Sequence, residues 1–173
     1  AINPHQPLEG PAAWYEAHLV SDEGWNMMGG LFPGRPIIFH GTNEYLGWAH
    51  TVNRPDKLDV FELAMSPDEE NKYRIDDDWY ELEHRVEKLK IKLFSKVNIT
   101  VKKDAYYSKY GPVVKNEKGV FAFNMAIFHE IRAVEQWYNM NKATNLTEFK
   151  AALEMTGIPG FNIVYADRED NIF

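Results

Sequence analysis

The stretch Leu46 to Phe61, Leu-Gly-Trp-Ala-His-Thr-Val-Asn-Arg-Pro-Asp-Lys-Leu-Asp-Val-Phe, decides how this chain is read. It reads as a strand from Leu46 to Val52, a polar loop from Asn53 to Lys57 and a second strand from Leu58 to Leu63. Asn53, Arg54, Asp56 and Asp59 fall within seven positions of one another. A strand that ends in a polar, proline-containing loop can present backbone N–H groups and side chains to a ligand. On residue types alone, the same loop is a solvated hairpin turn.

Upstream, Asn3-Pro4-His5-Gln6-Pro7 is an irregular turn in which the prolines hold both flanks of His5 extended. Pro11 to Leu19 is strand-like and aromatic. Gly24 to Phe32 is apolar, and Gly29-Gly30 within it suggests a bulge or a close approach of two backbones. Pro33-Gly34 marks a turn. Pro36 to His40 reads as a short buried strand (Ile37, Ile38, Phe39), turned at Gly41-Thr42-Asn43 into the Leu46 strand.

Downstream, Ser66 to Asn71 is an acidic loop, and Tyr73 to Leu82 is a short hairpin around Asp76-Asp77-Asp78. Leu89, Ile91 and Leu93 alternate with Lys88, Lys90 and Lys92, and Val97, Ile99 and Val101 alternate with polar residues. Both runs are strands with one wet face, joined as an antiparallel hairpin near Ser95-Lys96. A turn at Gly111-Pro112 and a strand from Gly119 to Ala126 follow. Only the last third is helical. Ile131, Val134, Trp137 and Tyr138 share one helical face. Asn145, with Glu148 three residues on, caps a second helix striped with Leu146, Phe149, Ala152 and Leu153, which Gly157 can end. Phe161 to Ala166 is a buried strand, and Asp167 to Asn171 a turn. The predicted fold class is α+β: many antiparallel strands, then two helices covering one face of a sheet.

The chain's 173 residues, 45% of them hydrophobic, fit one domain with a sizeable core. A net charge of −7 argues against phosphate-backbone recognition and hence against nucleic acid as partner. No apolar run reaches the ~18 residues of a membrane span. With no cysteine there is no disulfide, no thiolate nucleophile and no Cys-based zinc site. The chain opens on Ala1 without Met or signal peptide and stops at Phe173 after a turn, and so reads as a piece of a longer polypeptide.

Six histidines are present, none paired at metal-ligand spacing. His50, inside a strand, reads as a structural group. No Gly-x-Ser-x-Gly elbow and no P-loop appear. Residue chemistry alone stops at an α+β domain with a candidate site near His5 and the Asn53 loop.

At Asn3-Pro4-His5-Gln6-Pro7 the chain resembles the penicillin acylase family of N-terminal nucleophile hydrolases. The similarity runs in order through Pro11 to Leu19, Gly29-Gly30-Leu31-Phe32-Pro33-Gly34, Leu46 to Asn53, Tyr110-Gly111-Pro112-Val113, Gln136 to Ala143 and Tyr165-Ala166-Asp167. The resemblance implies an αββα sandwich of which residues 1–173 are the first part of the catalytic β chain. Family members cleave themselves from a precursor to free an N-terminal Ser. Its hydroxyl attacks an amide carbonyl with its own α-amine as base. Such an amine, of pKa ~7.7–8.0, is partly neutral at working pH.

Carried over residue by residue, His5 matches the histidine that orients the nucleophile and its amine. Some members place Gln there; His is closer to the acyl-homoserine-lactone, aculeacin and cephalosporin acylases. Val52 matches the residue whose backbone N–H serves the oxyanion hole. Thr51, Phe32 and Trp48 match substrate-pocket positions. The resemblance implies no catalytic cofactor, and it leaves room for a structural calcium held by Asp56, the Leu58 carbonyl and Asp59. It implies a small N-acyl substrate, the remainder of the precursor as partner, no membrane, and a periplasmic or extracellular location. The nucleophilic Ser belongs upstream of Ala1 and the oxyanion Asn beyond Phe173, with Asn162 a structural residue. The segment alone is therefore expected to be inactive. A non-catalytic binding domain on a retained acylase scaffold is the alternative.

Overall fold

A computed structural model describes residues 3–94, 97–158 and 160–173. The chain forms two compact units, residues 58–125 making the second and the residues on either side of them the first.

The first unit is built on a five-stranded antiparallel sheet. Its strands are β1 (Tyr15–Ser21), β2 (Trp25–Leu31), β3 (His40–Thr42), β4 (Leu46–Val52) and β13 (Phe161–Asp167), side by side in that order. Helices α1 (Ala133–Lys142) and α2 (Leu146–Leu153) pack on the face of β4 that carries Leu46, Trp48 and His50. Trp48 meets Phe149 of α2 at 5.5 Å between ring centroids, and His50 meets Trp137 of α1 at 6.0 Å. The core around them includes Met27, Leu31, Ile38 and Met140. Gly29 and Gly41 stand opposite one another where β2 pairs with β3, and a Cβ on either would collide with the facing backbone. Of the two readings of Gly29-Gly30, the close approach holds: the β1–β2 register runs unbroken from Tyr15↔Leu31 to Ser21↔Trp25.

The second unit holds the sheet β5 (Leu58–Glu62), β12 (Gly119–Met125), β11 (Gly111–Asn116), β10 (Val97–Ser108) and β9 (Glu83–Phe94), in that order. It also holds the small sheet β6 (Ala64–Met65), β7 (Lys72–Ile75) and β8 (Asp78–Glu81). Leu63, Tyr73, Leu82 and Ala122 make its core. β9 and β10 form a long ribbon. Leu89 faces Val101 and Ile91 faces Ile99, while Lys88, Lys90 and Lys92 pair with Lys102, Thr100 and Asn98. Successive side chains alternate between faces, so one side of the ribbon is apolar and the other basic. The expected turn at Ser95-Lys96 lies outside the described residues.

Four expectations are corrected. First, β4 and β5 are not a hairpin: β4 is flanked by β3 and β13, and β5 pairs with β12, so the Asn53–Lys57 loop carries the chain from one sheet to another. Second, residues 36–39 are not a strand: β3 starts at His40, the last residue of the expected strand, and continues through Gly41 and Thr42, where a turn was expected. The Asn141 side chain accepts the Ile38 N–H at 3.2 Å and donates to the Ile38 carbonyl at 2.8 Å. Buried backbone groups must be paired, and here one amide side chain does what a strand neighbour would do. Third, the buried face of α1 is Gln136, Trp137, Met140 and Asn141, whereas Ile131 and Val134 are exposed. Gln136 is drawn inward by the Gly157 and Ile158 N–H groups, which donate to its Oε1 at 2.6 and 3.0 Å. Fourth, α2 stops at Leu153, ahead of Gly157, whose N–H is occupied by that same Gln136.

Asn145 caps α2 as predicted, its Oδ1 accepting the Glu148 N–H at 3.0 Å. Glu148 in turn accepts the Thr144 N–H at 2.8 Å. Asn145→Ala is expected to lower stability by about 1 kcal/mol, read as a shift in the urea midpoint. An unchanged midpoint would show that tertiary packing alone fixes the start of the helix. No helix among the described residues is long and apolar enough to cross a membrane.

Candidate active site

At the end of β4 a cavity of about 160 Å³ opens beside Thr51 and Val52. Five separate segments wall it with aromatic rings: Trp14, Phe32, Phe39, Trp137 and Phe161. The rings support one another. Trp14 stacks on Phe32 at 4.4 Å, Phe32 meets Phe39 edge-on at 5.0 Å, and Phe39 lies 4.3 Å from Trp137. Such contacts between rings add to the burial of their area and stiffen the wall. Pro4 and Gln6 close the rim on one side, and His40 and His50 complete the lining.

The backbone at the rim is set by strand pairing. In an antiparallel ladder the N–H groups of successive residues point alternately to opposite neighbours. Asn53 donates its N–H to the Gly160 carbonyl at 3.1 Å, on the β13 side. Val52, one residue earlier, therefore aims its N–H away from β13. It points to the side on which the His50 N–H reaches His40 Nδ1 at 2.8 Å. β3 pairs with β4 at Gly47 and Trp48, so beyond His40 that side of β4 has no strand neighbour among the described residues. The Val52 amide is thus a donor at the end of a sheet, next to an apolar cavity.

The two histidines in the wall are neutral, and the hydrogen bonds fix where each proton sits. His40 Nδ1 accepts the His50 N–H, so its proton is on Nε2. His50 Nε2 accepts the Trp137 indole N–H at 2.9 Å, so His50 carries its proton on Nδ1, which is buried without a hydrogen-bond partner among the described residues. Burial lowers the His40 pKa to about 4. His50 falls to about 3, through burial first and the nearness of His40 second.

These shifts set a pH dependence. Unfolded, both histidines take up protons below pH ~6.5; folded, they resist protonation until about pH 4 and about pH 3. The unfolded state therefore binds more protons on acidification, and stability falls as pH drops below ~6.5. The loss is expected to reach on the order of 3–5 kcal/mol by pH 4, discounted because His40 is only partly buried. Urea midpoints between pH 6.5 and 5, above the range where unfolded carboxylates titrate, check it. A flat profile there would mean that the pair is hydrated in the folded protein.

The other predicted residues fall in different places. His5 is exposed and takes a left-handed φ of 59°, its N–H donated to Asn3 Oδ1 at 2.9 Å. Proline restrains its own φ and its predecessor, here Asn3 and Gln6, so His5 is free to make this turn and is not extended. Its two neighbours line the cavity. Trp48 is buried in the core, its indole N–H donated to the Phe39 carbonyl at 3.1 Å, and it is absent from the lining. Asp56 lies in the exposed loop of the first unit, and Leu58 and Asp59 open β5 in the second. Calcium takes about six to eight oxygens, and two carboxylates with one carbonyl fall short of that. No group of three His, Cys, Asp or Glu among the described residues is gathered for a metal.

A donor amide at the end of a strand, beside an enclosed apolar compartment, is an arrangement suited to binding an acyl group and polarising its carbonyl. The chain belongs to the penicillin amidase family, whose sequence profile matches residues 1–173. Its relatives include the acyl-homoserine lactone acylases PvdQ of Pseudomonas savastanoi pv. phaseolicola (30% identical) and Pseudomonas fluorescens (29%). Each match covers 95% of this chain and 22% of the relative. The aculeacin-A acylase of Actinoplanes utahensis is 26% identical over 95% of this chain and 21% of its own length. The thermostable penicillin G acylase from Alcaligenes faecalis shares the fold, with a TM-score of 0.77 at 24% identity over 92% of this chain and 28% of that one. The chain thus spans less than a third of the length of each of these relatives. The fold is that of part of an α+β N-terminal nucleophile hydrolase, as the motifs predict.

Proposed function

We propose that the chain carries part of the active site of an enzyme that hydrolyses N-acyl amides such as penicillins or acyl-homoserine lactones. In this reading the substrate's acyl group occupies the aromatic cavity and its carbonyl stops at the rim beside Val52. An N-terminal serine preceding the segment attacks that carbonyl, and its hydroxyl proton passes to its own α-amine. The charge gathering on the carbonyl oxygen meets the Val52 N–H and an asparagine further along the protein. Collapse breaks the C–N bond, the leaving amine takes the proton, and water then hydrolyses the serine ester to free the acid. His5 orients the serine and its amine. The remainder of the precursor is the partner, in the periplasm or outside the cell. Calcium, if held through Asp56, the Leu58 carbonyl and Asp59, needs further oxygens from that remainder and plays no part in the chemistry.

The observation that carries this reading is the Val52 amide, turned away from its sheet partner at the mouth of an apolar compartment. The test is to assay the full-length gene product on penicillin G, acyl-homoserine lactones and acyl-amino acids, beside the isolated 173-residue chain. Amine release is expected from the full-length protein only, and replacing its N-terminal serine by alanine should abolish it. Turnover by the isolated chain, or by the serine variant, refutes the mechanism.

A further inference from the structure

The end of β4 is held differently on its two sides. On one, pairing with β13 runs along the whole strand, and just beyond it the Asn53 N–H is donated to the Gly160 carbonyl at 3.1 Å. On the other, β3 reaches only as far as His40, and there a side chain takes over from the backbone. His40 Nδ1 accepts the His50 N–H at 2.8 Å, the bond that a longer β3 would have accepted through a carbonyl. The imidazole is itself held in place. Trp14 meets it edge-on at 4.5 Å, and the His50 ring, 5.2 Å away, is anchored by the Trp137 indole N–H. Burial keeps His40 neutral, which Nδ1 requires in order to accept. Val52 is the next residue whose N–H leaves β4 on this side, about 7 Å further along at the rise of a strand.

Resting on the acylase reading, we infer that His40 is a positioning residue for the oxyanion hole: by standing in for a strand neighbour at His50, it fixes the direction of the Val52 N–H. It touches no reacting atom in this role. A donor stabilises developing charge only if it is already aimed at it, and a peptide unit at an unpaired strand end can rotate unless the residues around it are fixed. Here they are fixed on both sides of the amide. His50 is held through its backbone by His40 and through its ring by Trp137, and Asn53 is held by Gly160. Thr51 and Val52 are the two residues between these anchors. A displacement of about 1 Å is enough to cost about 10²-fold in rate, so releasing one anchor should be felt in the chemical step.

The experiment compares kcat and KM of the full-length protein with those of its His40→Asn and His40→Leu variants, on an N-acyl substrate that the wild type cleaves. Asn and Leu are close in size, but only Asn puts an acceptor, its Oδ1, where Nδ1 stood. His40→Leu is expected to lower kcat by about 10–100-fold. His40→Asn should exceed it in kcat by at least about tenfold, with the two KM values within about threefold of each other. A residue that only filled space would be replaced equally well by either. In a Val52→Pro background, where the amide is gone, His40→Leu should lower kcat by less than about threefold further, because groups that act as a unit are not additive. Should His40→Leu not fold, His40→Gln, whose acceptor sits one bond further out, takes its place in both comparisons. Equal kcat for the Asn and Leu variants, full additivity with Val52→Pro, or failure of His40→Asn itself to fold overturns the positioning role and leaves the acylase reading intact. Failure of the wild-type full-length protein to cleave any N-acyl substrate overturns both.

Discussion

Val52→Pro in the full-length protein is expected to lower kcat about 10²–10³-fold, the usual cost of one oxyanion donor. Proline removes the backbone N–H and little else at this position. The Val52 side chain is half exposed, and its N–H faces away from β13, so no bond of that ladder is lost. Thr51, which would then precede a proline, already has the extended conformation that proline imposes on its predecessor. Val52→Ala is the control, since it trims the side chain and keeps the amide, and it should stay within a few-fold of wild type. Because the donor acts on charge that exists only in the transition state, kcat should fall while KM barely moves. A folded Val52→Pro protein with less than about a tenfold loss would remove this amide from the oxyanion hole.

Asn141→Leu should give the largest loss of stability. The substitution keeps the volume and deletes every polar atom of the side chain. It orphans the Ile38 N–H and carbonyl in a part of the core where Ile38 is fully buried. Each stranded group costs about 1–3 kcal/mol, so the expected total is about 2–6 kcal/mol. That is a large share of the ~5–15 kcal/mol a domain holds. Asn139→Leu, on the exposed side of the same helix, should change stability by no more than about 0.5 kcal/mol. Thermal melts of the two variants read the difference. Equal melting temperatures would mean that Ile38 finds other partners, or water, once Asn141 is gone.

How far the sequence could be read follows from the range of the interactions involved. β4, β7, β8 and the ribbon were legible because alternation and turn residues act within a few positions. The Asn145 cap was legible for the same reason. The inward face of α1 was not. Gln136 and Asn141 are buried by partners 21 and 103 positions away, so the apolar stripe misses them and turns the helix toward Ile131 instead. The same long reach hides β3, since nothing in Pro36-Ile37-Ile38-Phe39 says that a helix side chain will take its backbone bonds.

The site divides in the same way. His5, Thr51, Val52 and Phe32 come from motifs that the family resemblance carries, and Thr51, Val52 and Phe32 lie at the cavity. Trp14, Phe39, His40, Trp137 and Phe161 converge there only through the fold. His50 reads in sequence as structural, which its bond from Trp137 agrees with, yet it also faces the cavity. A cluster of aromatics spaced widely along the chain was the one available signal, and core packing produces the same signal.

The β9–β10 ribbon has a meaning beyond its own sheet. Among the described residues β9 is an outermost strand of twelve residues, its outer row of N–H and C=O groups joined to no further strand, with Leu89, Ile91 and Leu93 beside them. A long open edge of that kind is a template on which another chain can add a strand. Lys88, Lys90 and Lys92 interrupt it at every second position, so a second copy laid along the edge would bring like charges together. The lysines that mark the wet face of the ribbon thus also work against strand addition along this edge.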